Sequence, residues 1–414
     1  MSEKAEPTVT EPPEESEKKD TGEHSYKSLI IAIIVAAVVV VLLIVVIVLA
    51  ATLTDKDKDK SQSQSTYSGR RYTMYAWSPD LLNNSKGSNI ISDMRAFNIT
   101  DLYVEMSLSS NKKQLVCQLI KSGLDVYLLT GDTTWYKDVS NYKQYIDVVA
   151  NYNTDNSDCP VLGVAFDVEP YSSGSEYTSD NITGFETYVN TIKEAYTYAH
   201  SKNVKLINVV PYWYDRYFTS DSYTDEQHAR AEAAYIDLVK HSDRLSVMNY
   251  AKKNVVKNIN ASLRYAKEYG IEVESIGEFD EVAGDDEQQY ISYYLEEDPM
   301  AAGQAGWDAI LDEYEYDSLS FAYHHIDYIM TYRGLCNRYS LVFQNSEGTA
   351  LTSSSIKYTL QYEDTVVSKR ITKTCFVPKG LDFTITLVGY GDQTLLNEEK
   401  ADKYTTKRIY RYAS

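Results

Sequence analysis

The sequence predicts an α/β chain: a (β/α)8 TIM barrel with a C-terminal all-β sandwich domain and one N-terminal transmembrane helix. Three observations carry this. Between residues 71 and 332 short apolar runs alternate with longer stretches of helical period eight times over, as a barrel of parallel strands and crossover helices requires. After Arg333 the texture changes to alternating, β-branched segments bounded by turn residues. Leu29 to Ala51 is an unbroken apolar run, which at about 1.5 Å per residue exceeds the roughly 30 Å hydrocarbon core of a bilayer.

The N-terminal organisation follows from composition. Residues 1–27 are rich in Pro, Glu and Lys and read as a disordered tail. Residues 28–53 read as an uncleaved signal anchor, because a cleaved signal peptide has a shorter apolar core and a basic start. Residues 54–70, with Asp55-Lys-Asp-Lys-Asp-Lys60 and a Ser/Gln stretch, read as a linker. Basic residues flank both ends of the apolar run, so charge does not orient it. Other features favour an extracytoplasmic C-terminal part. Asn83-Asn-Ser, Asn98-Ile-Thr, Asn181-Ile-Thr and Asn260-Ala-Ser are N-glycosylation patterns. All four cysteines follow the apolar run; Cys336 could pair with Cys375 and Cys117 with Cys159, or all could be buried thiols. The net charge of −20 argues against a nucleic-acid partner. The lipid bilayer, through residues 29–51, is the expected partner instead.

Within the barrel the expected strands are 72–77, 102–106, 124–130, 161–168, 205–210, 245–250, 272–277 and 319–323. The expected helices lie around 90–97, 113–122, 142–152, 185–201, 225–240, 255–269, 288–295 with 307–314, in the same alternation. An open doubly wound sheet would need a Gly-rich phosphate loop, which the sequence lacks. Residues 333–414 form the expected β-sandwich, with strands near 339–343, 356–362 and 383–388 and turns at Gly348 and Gly380. That domain reads as a spacer, having no clear aromatic platform.

The fourth strand, Val161-Leu-Gly-Val-Ala-Phe-Asp-Val-Glu-Pro-Tyr171, is the most informative. Side chains two apart share a face, so Asp167 and Glu169 point the same way above the small Gly163 and Ala165. Close like charges push one pKa upward, which keeps a carboxylic acid protonated near neutral pH. In barrel enzymes the reactive groups come from strand C-terminal ends. Collecting those ends gives Trp77, Glu105, Asp132, Asp167, Glu169, Tyr171, Tyr212, Trp213, Asn249, Tyr250, Glu274, Glu278, His324 and His325. Adjacent His324 and His325 face opposite ways on a strand, so one at most would reach a pocket directly. An acidic, aromatic mouth suits a glycan. Glycoside hydrolysis uses two carboxyl groups flanking one bond. No metal ligand set of the H-E-x-x-H kind occurs, and no cofactor is expected.

The Asp167-Val-Glu169 run and Met248-Asn-Tyr250 resemble the D-x-E and M-x-Y elements of glycoside hydrolase family 18, the chitinase-like barrels. That resemblance implies Glu169 as proton donor, with Asp167 and Tyr250 positioning a substrate acetamido group. The chain departs from the family where Leu162 and Ala165 replace two acids and Val168 a tryptophan. Asp167-Val-Glu-Pro-Tyr171, Val273-Glu274 and Ala322-Tyr-His-His325 are similar to a group of poorly characterised extracellular glycosidase-like barrels, a match spanning most of the barrel. Val168-Glu-Pro170 also resembles the N-E-P of the large retaining clan, which implies Glu274 or Glu278 as nucleophile. The function expected is a membrane-anchored extracellular glycoside hydrolase. The alternative is a catalytically inactive glycan-binding barrel.

Overall fold

The computed structural model describes residues 69–109, 112–171, 182–282, 284 and 290–412. The tail, the signal anchor, most of the linker and Asn181 lie outside them. Among the described residues no helix is long and apolar enough to cross a membrane.

Eight parallel strands close into a barrel in sequence order. They are β1 (Tyr72–Ala76), β2 (Asp101–Val104), β3 (Asp125–Thr130), β4 (Gly163–Asp167), β5 (Lys205–Pro211), β6 (Arg244–Met248), β7 (Glu272–Glu278) and β8 (Leu319–His324). The helices between and after them are α1 (Gly87–Ala96), α2 (Lys113–Lys121), α3 (Val139–Asp155), α4 (Ile182–Ser201), α5 (Asp225–Lys240), α6 (Asn260–Tyr269), α7 (Pro299–Glu313) and α8 (Ile326–Tyr332). Strand side chains alternate between two apolar layers. Met74, Leu102, Val126, Val164, Phe166, Leu206 and Phe321 pack outward under the helices. Tyr75, Tyr103, Tyr127, Leu129, Ala165, Ile207, Met248, Ile276 and Ala322 fill the barrel.

The fold departs from expectation after β7. Residues 291–298 are turns, not the second half of a helix over 288–295, whose first half falls largely outside the described residues. The helix expected at 307 begins at Pro299. Asp298 accepts the Ala301 N–H at 3.1 Å, and Pro299 supplies a preset φ at the first turn.

After α8, β9 (Cys336–Gln344), β12 (Cys375–Pro378), β14 (Gln393–Lys400) and β15 (Thr405–Tyr412) form one sheet in the order β12-β9-β15-β14. β10 (Lys357–Tyr362), β11 (Thr365–Arg370) and β13 (Thr384–Leu387) form the other. Tyr339, Leu341 and Phe343 from the first sheet and Tyr358, Leu360 and Leu387 from the second share one core. Gly348 and Gly380 have φ of 82° and 81°, a backbone suited to glycine at these turns.

Cys117 and Cys159 form a disulfide that ties α2 to the approach of β4. Cys336 and Cys375 remain buried thiols. They sit on paired strands, but Cys336 opposes Pro378 and Cys375 opposes Tyr339. That is an offset of about 10 Å along the ladder, beyond disulfide reach. The 42-residue separation of the bonded pair gives about 4 kcal/mol in the chain-entropy account. Cys117→Ser/Cys159→Ser is therefore expected to lose about that much stability in urea unfolding, and reductant to affect the native chain but not the variant.

Candidate active site

The floor of the barrel is a charged layer. Arg244, 2% exposed, donates to Tyr103 Oη at 2.7 Å, to Asp101 at 3.3 Å, to Glu272 at 2.9 Å and to Glu274 at 3.4 Å. Arg71 binds Asp101 from the other side. Glu274 also accepts hydrogen bonds from Thr73 and, at 2.7 Å, from Ser246. The structure therefore does not bring Glu274 to the mouth. It faces inward as Glu278 does, but two pleats lower, about 13 Å down the strand. The sequence expectation of a catalytic Glu274 misassigned its depth: parity fixes a face, not a layer.

Above the floor stand Tyr75, Tyr103 and Tyr127, edge to face at 5.0 and 5.3 Å. Above them is the mouth. Asp167 ends β4, and its Oδ1 is buried with no hydrogen-bond partner among the described residues. Burial, then the neighbouring Glu169, pushes its carboxyl up to about 7, against the pull of His324. Glu169 accepts the Tyr171 hydroxyl at 2.8 Å, and Tyr171 is backed by Trp213 with ring centres 4.8 Å apart.

Glu278 ends β7 and is 5% exposed. It accepts the Asp280 N–H at 2.9 Å and holds His324 Nδ1 at 3.0 Å. Trp77 Nε1 lies 2.9 Å from His324 Nε2. An indole N–H can only donate, so this bond makes Nε2 an acceptor and Nδ1–H the donor to Glu278, which describes a neutral imidazole. Burial also opposes protonation of His324, but Glu278, Asp280 and Asp167 outweigh it and raise its pKa to about 9. Protonation would cost the Trp77 bond. His325 turns away: its Nε2 meets Asp280 Oδ2 at 2.7 Å, and its Nδ1 caps α8 through the Asp327 N–H.

The two acid pairs belong to one electrostatic neighbourhood. Burial raises the Tyr250 hydroxyl well above its ordinary range, with help from Glu278, Asp167, Glu169 and Asp280. The Tyr250 ring lies 6.0 Å from His324. Tyr75, whose buried hydroxyl has no hydrogen-bond partner among the described residues, is raised by burial, then by Glu274 and Tyr103, and in part by Asp167.

The remaining candidates divide by parity and exposure. Asn249 points outward, donating to Val255 O at 2.8 Å and Ser275 Oγ at 3.1 Å, and so does not reach a substrate. Asp132 is exposed and bonds the Thr134 N–H and hydroxyl, closing the turn before α3; those bonds lower its pKa. Glu105 lines a separate hollow of about 410 Å³ at the β2–β3 rim with Tyr145 and Val148, and burial raises its carboxyl. Tyr212 is half-buried beside Arg216. Asp280 and Tyr75 were missed. Glu278-Phe-Asp280 repeats the acid-x-acid spacing of Asp167-Val-Glu169 in reverse, and that signal was available.

Asp167 carries a stability cost that can be measured. Its folded pKa, about 7, lies above the unfolded value near 3.9. The folded chain then holds the extra proton between these values, so stability falls as pH rises from 4 through 7, by up to roughly 4 kcal/mol from this group. Asp167→Asn should raise stability at pH 8 by about 2 kcal/mol or more, with the gain gone at pH 4; denaturant titrations at both pH values measure it.

No family model matches this chain, and no curated protein matches it. Among solved structures it is similar to a glycoside hydrolase family 18 chitinase from Pseudoalteromonas aurantia, at 10% identity and a TM-score of 0.41, over 63% of this chain and 97% of that one. It is similar to the catalytic domain of a β-amylase from Paenibacillus polymyxa, at 7% identity and a TM-score of 0.43, over 65% and 95%. It is also similar to the spore cortex-lytic enzyme of Bacillus megaterium, at 12% identity and a TM-score of 0.38, over 64% and 72%.

Proposed function

We propose that the chain is a glycoside hydrolase that cleaves a glycan by carboxylate acid/base catalysis at the barrel mouth. The observation that carries this reading is the cluster at the strand ends, where Glu278 holds His324 at 3.0 Å and the Asp280 N–H at 2.9 Å, the Tyr250 ring lies 6.0 Å from His324, and Asp167 closes β4. Glu169 is the proton donor. Its proton goes to the glycosidic oxygen as the bond to the anomeric carbon breaks. Asp167, whose carboxyl burial and Glu169 push up to about 7, stays protonated below that pH and so limits the negative charge beside Glu169. Glu278, held by His324 and the Asp280 N–H, serves the other face of the sugar, as nucleophile or as base for water. Trp77, Trp213, Tyr171 and Tyr250 supply rings for the apolar faces of the sugar.

The reading extends to location. The apolar run over 29–51 anchors the chain in a bilayer, with the barrel and β domain outside the cytoplasm. The Cys117–Cys159 disulfide suits an oxidising compartment, and the acceptor residues Asn83, Asn98 and Asn260 are exposed.

The test is release of reducing sugar from a glycan panel by the full chain. Glu278→Gln should lose about 100-fold or more in kcat, while Glu274→Gln keeps most of it. Oligosaccharide binding without any turnover by the native chain would assign it to glycan recognition instead.

A further inference from the structure

The C-terminal β domain closes a cleft against the barrel rim beside the candidate active site. The cleft holds about 310 Å³, at the low end for small-ligand sites, which run roughly 300–1,000 Å³. The barrel contributes Trp77 and Asp80 from the segment after β1 and Asp327 from α8. The β domain contributes Tyr362, Ser368 and Phe376. Lys369 also lines it, with its ammonium 5.6 Å from the Phe376 ring centre.

Both walls are fixed. The β10–β11 turn is tied to the barrel segment after β1, where Glu363 accepts the Ser85 N–H at 2.8 Å. On the other side Arg338 of β9, 2% exposed, binds Glu281 just beyond Glu278 and Asp280. Lys403 donates to Glu297 O at 2.7 Å. A domain held at these points keeps a rigid face toward the barrel, which a spacer does not need.

Trp77 gives the cleft its meaning. Its indole lines the cleft and also bonds His324, which holds Glu278. Trp77 therefore stands between the cleft and the acid-bearing mouth and touches both. Its lining mixes rings, His325 among them, with aliphatic Leu81, Leu360 and Val367 and with serines, and the acids Asp80 and Asp327 do not favour an anion. We propose that this cleft is an additional subsite for a neutral sugar unit of a glycan held at the mouth by Glu169 and Glu278, with the β domain as one wall. This rests on the glycan reading above but not on catalysis.

Ser368 is exposed, lines the cleft and lies outside the proposed catalytic groups. Ser368→Trp fills the subsite, and Lys369→Ala removes one contact without adding bulk. Both are made in full chain already carrying Glu169→Gln, so that binding is read without turnover. The probes are neutral β-1,4 N-acetylglucosamine, β-1,4 glucose and α-1,4 glucose oligosaccharides of increasing length, measured by calorimetry, with thermal melts as the folding control. The parent should gain affinity with length. Ser368→Trp should remove about tenfold of that gain and leave short oligosaccharides unaffected, with Lys369→Ala intermediate. Equal weakening at every length, or no change at any, would overturn the subsite. Length-dependent binding lost in Ser368→Trp, from a native chain that hydrolyses nothing, would support the subsite and refute the catalytic reading. No binding of any probe would overturn both.

Discussion

Glu169→Gln is expected to lower kcat on natural oligosaccharides by about 10²–10⁴-fold, with the melting temperature unchanged. Glutamine keeps the acceptor for the Tyr171 hydroxyl, 2.8 Å from Oε1 in the native chain, and loses the transferable proton. The size of the loss should depend on the leaving group. An aryl glycoside with a strongly acidic phenol departs without protonation, so its bond-breaking step needs no donor. The variant should therefore lose far less on such a substrate than on a sugar leaving group. A pH profile gives a second readout. In the native chain, activity on sugar leaving groups should fall as pH rises through about 7, where Asp167 loses its proton; in Asp167→Asn that limb should move or vanish. Equal turnover by Glu169→Gln and the native chain on both substrate types would remove Glu169 from the mechanism.

The contrast between Glu278 and Glu274 shows what the sequence could and could not convey. Alternation along β7 puts both on the inward face, and hydrophobic period cannot say which lies at the mouth. That depends on where the strand enters the barrel, set by the pairing of Glu274 with Ser246 and Ser320. The barrel itself was legible because each unit carries its own pattern: a buried strand, then an amphipathic helix. Asp167 and Glu169 were legible for the same reason, since Pro170 marks the strand end. Asn249 was misplaced despite its motif: between Met248 and Tyr250 it must point outward, and it supports the turn through Val255 and Ser275. The Cys336–Cys375 pairing failed on register, which only the fold of the β domain supplies. The role of Trp77 depended on His324, 247 residues away, a contact no local pattern carries.

Arg244→Met is expected to be among the most damaging single changes to stability, at about 3–5 kcal/mol. That is a large share of the 5–15 kcal/mol typical of a folded chain. The arginine is 2% exposed and serves Asp101, Glu272 and Glu274 at once, and both Asp101 and Glu274 are fully buried. Methionine fills much of the volume but leaves these carboxylates without that cation. They do not suffer equally. Asp101 keeps Arg71 at 2.5 Å, and Glu272, one-third exposed, keeps water. Glu274 keeps only neutral hydroxyls, from Thr73 and Ser246, among its described hydrogen-bond partners. Adding Glu274→Gln to Arg244→Met should therefore recover more stability than adding Glu272→Gln, and a double-mutant cycle in urea should show coupling of about 1–3 kcal/mol between Arg244 and Glu274. If Arg244→Met is as stable as the native chain, or Glu272→Gln is the better rescue, the buried layer is not the electrostatic floor that the distances describe. Turnover assays run beside the cycle separate Glu274 from Glu278 by role, since changes at Glu274 should move the urea midpoint while changes at Glu278 move turnover.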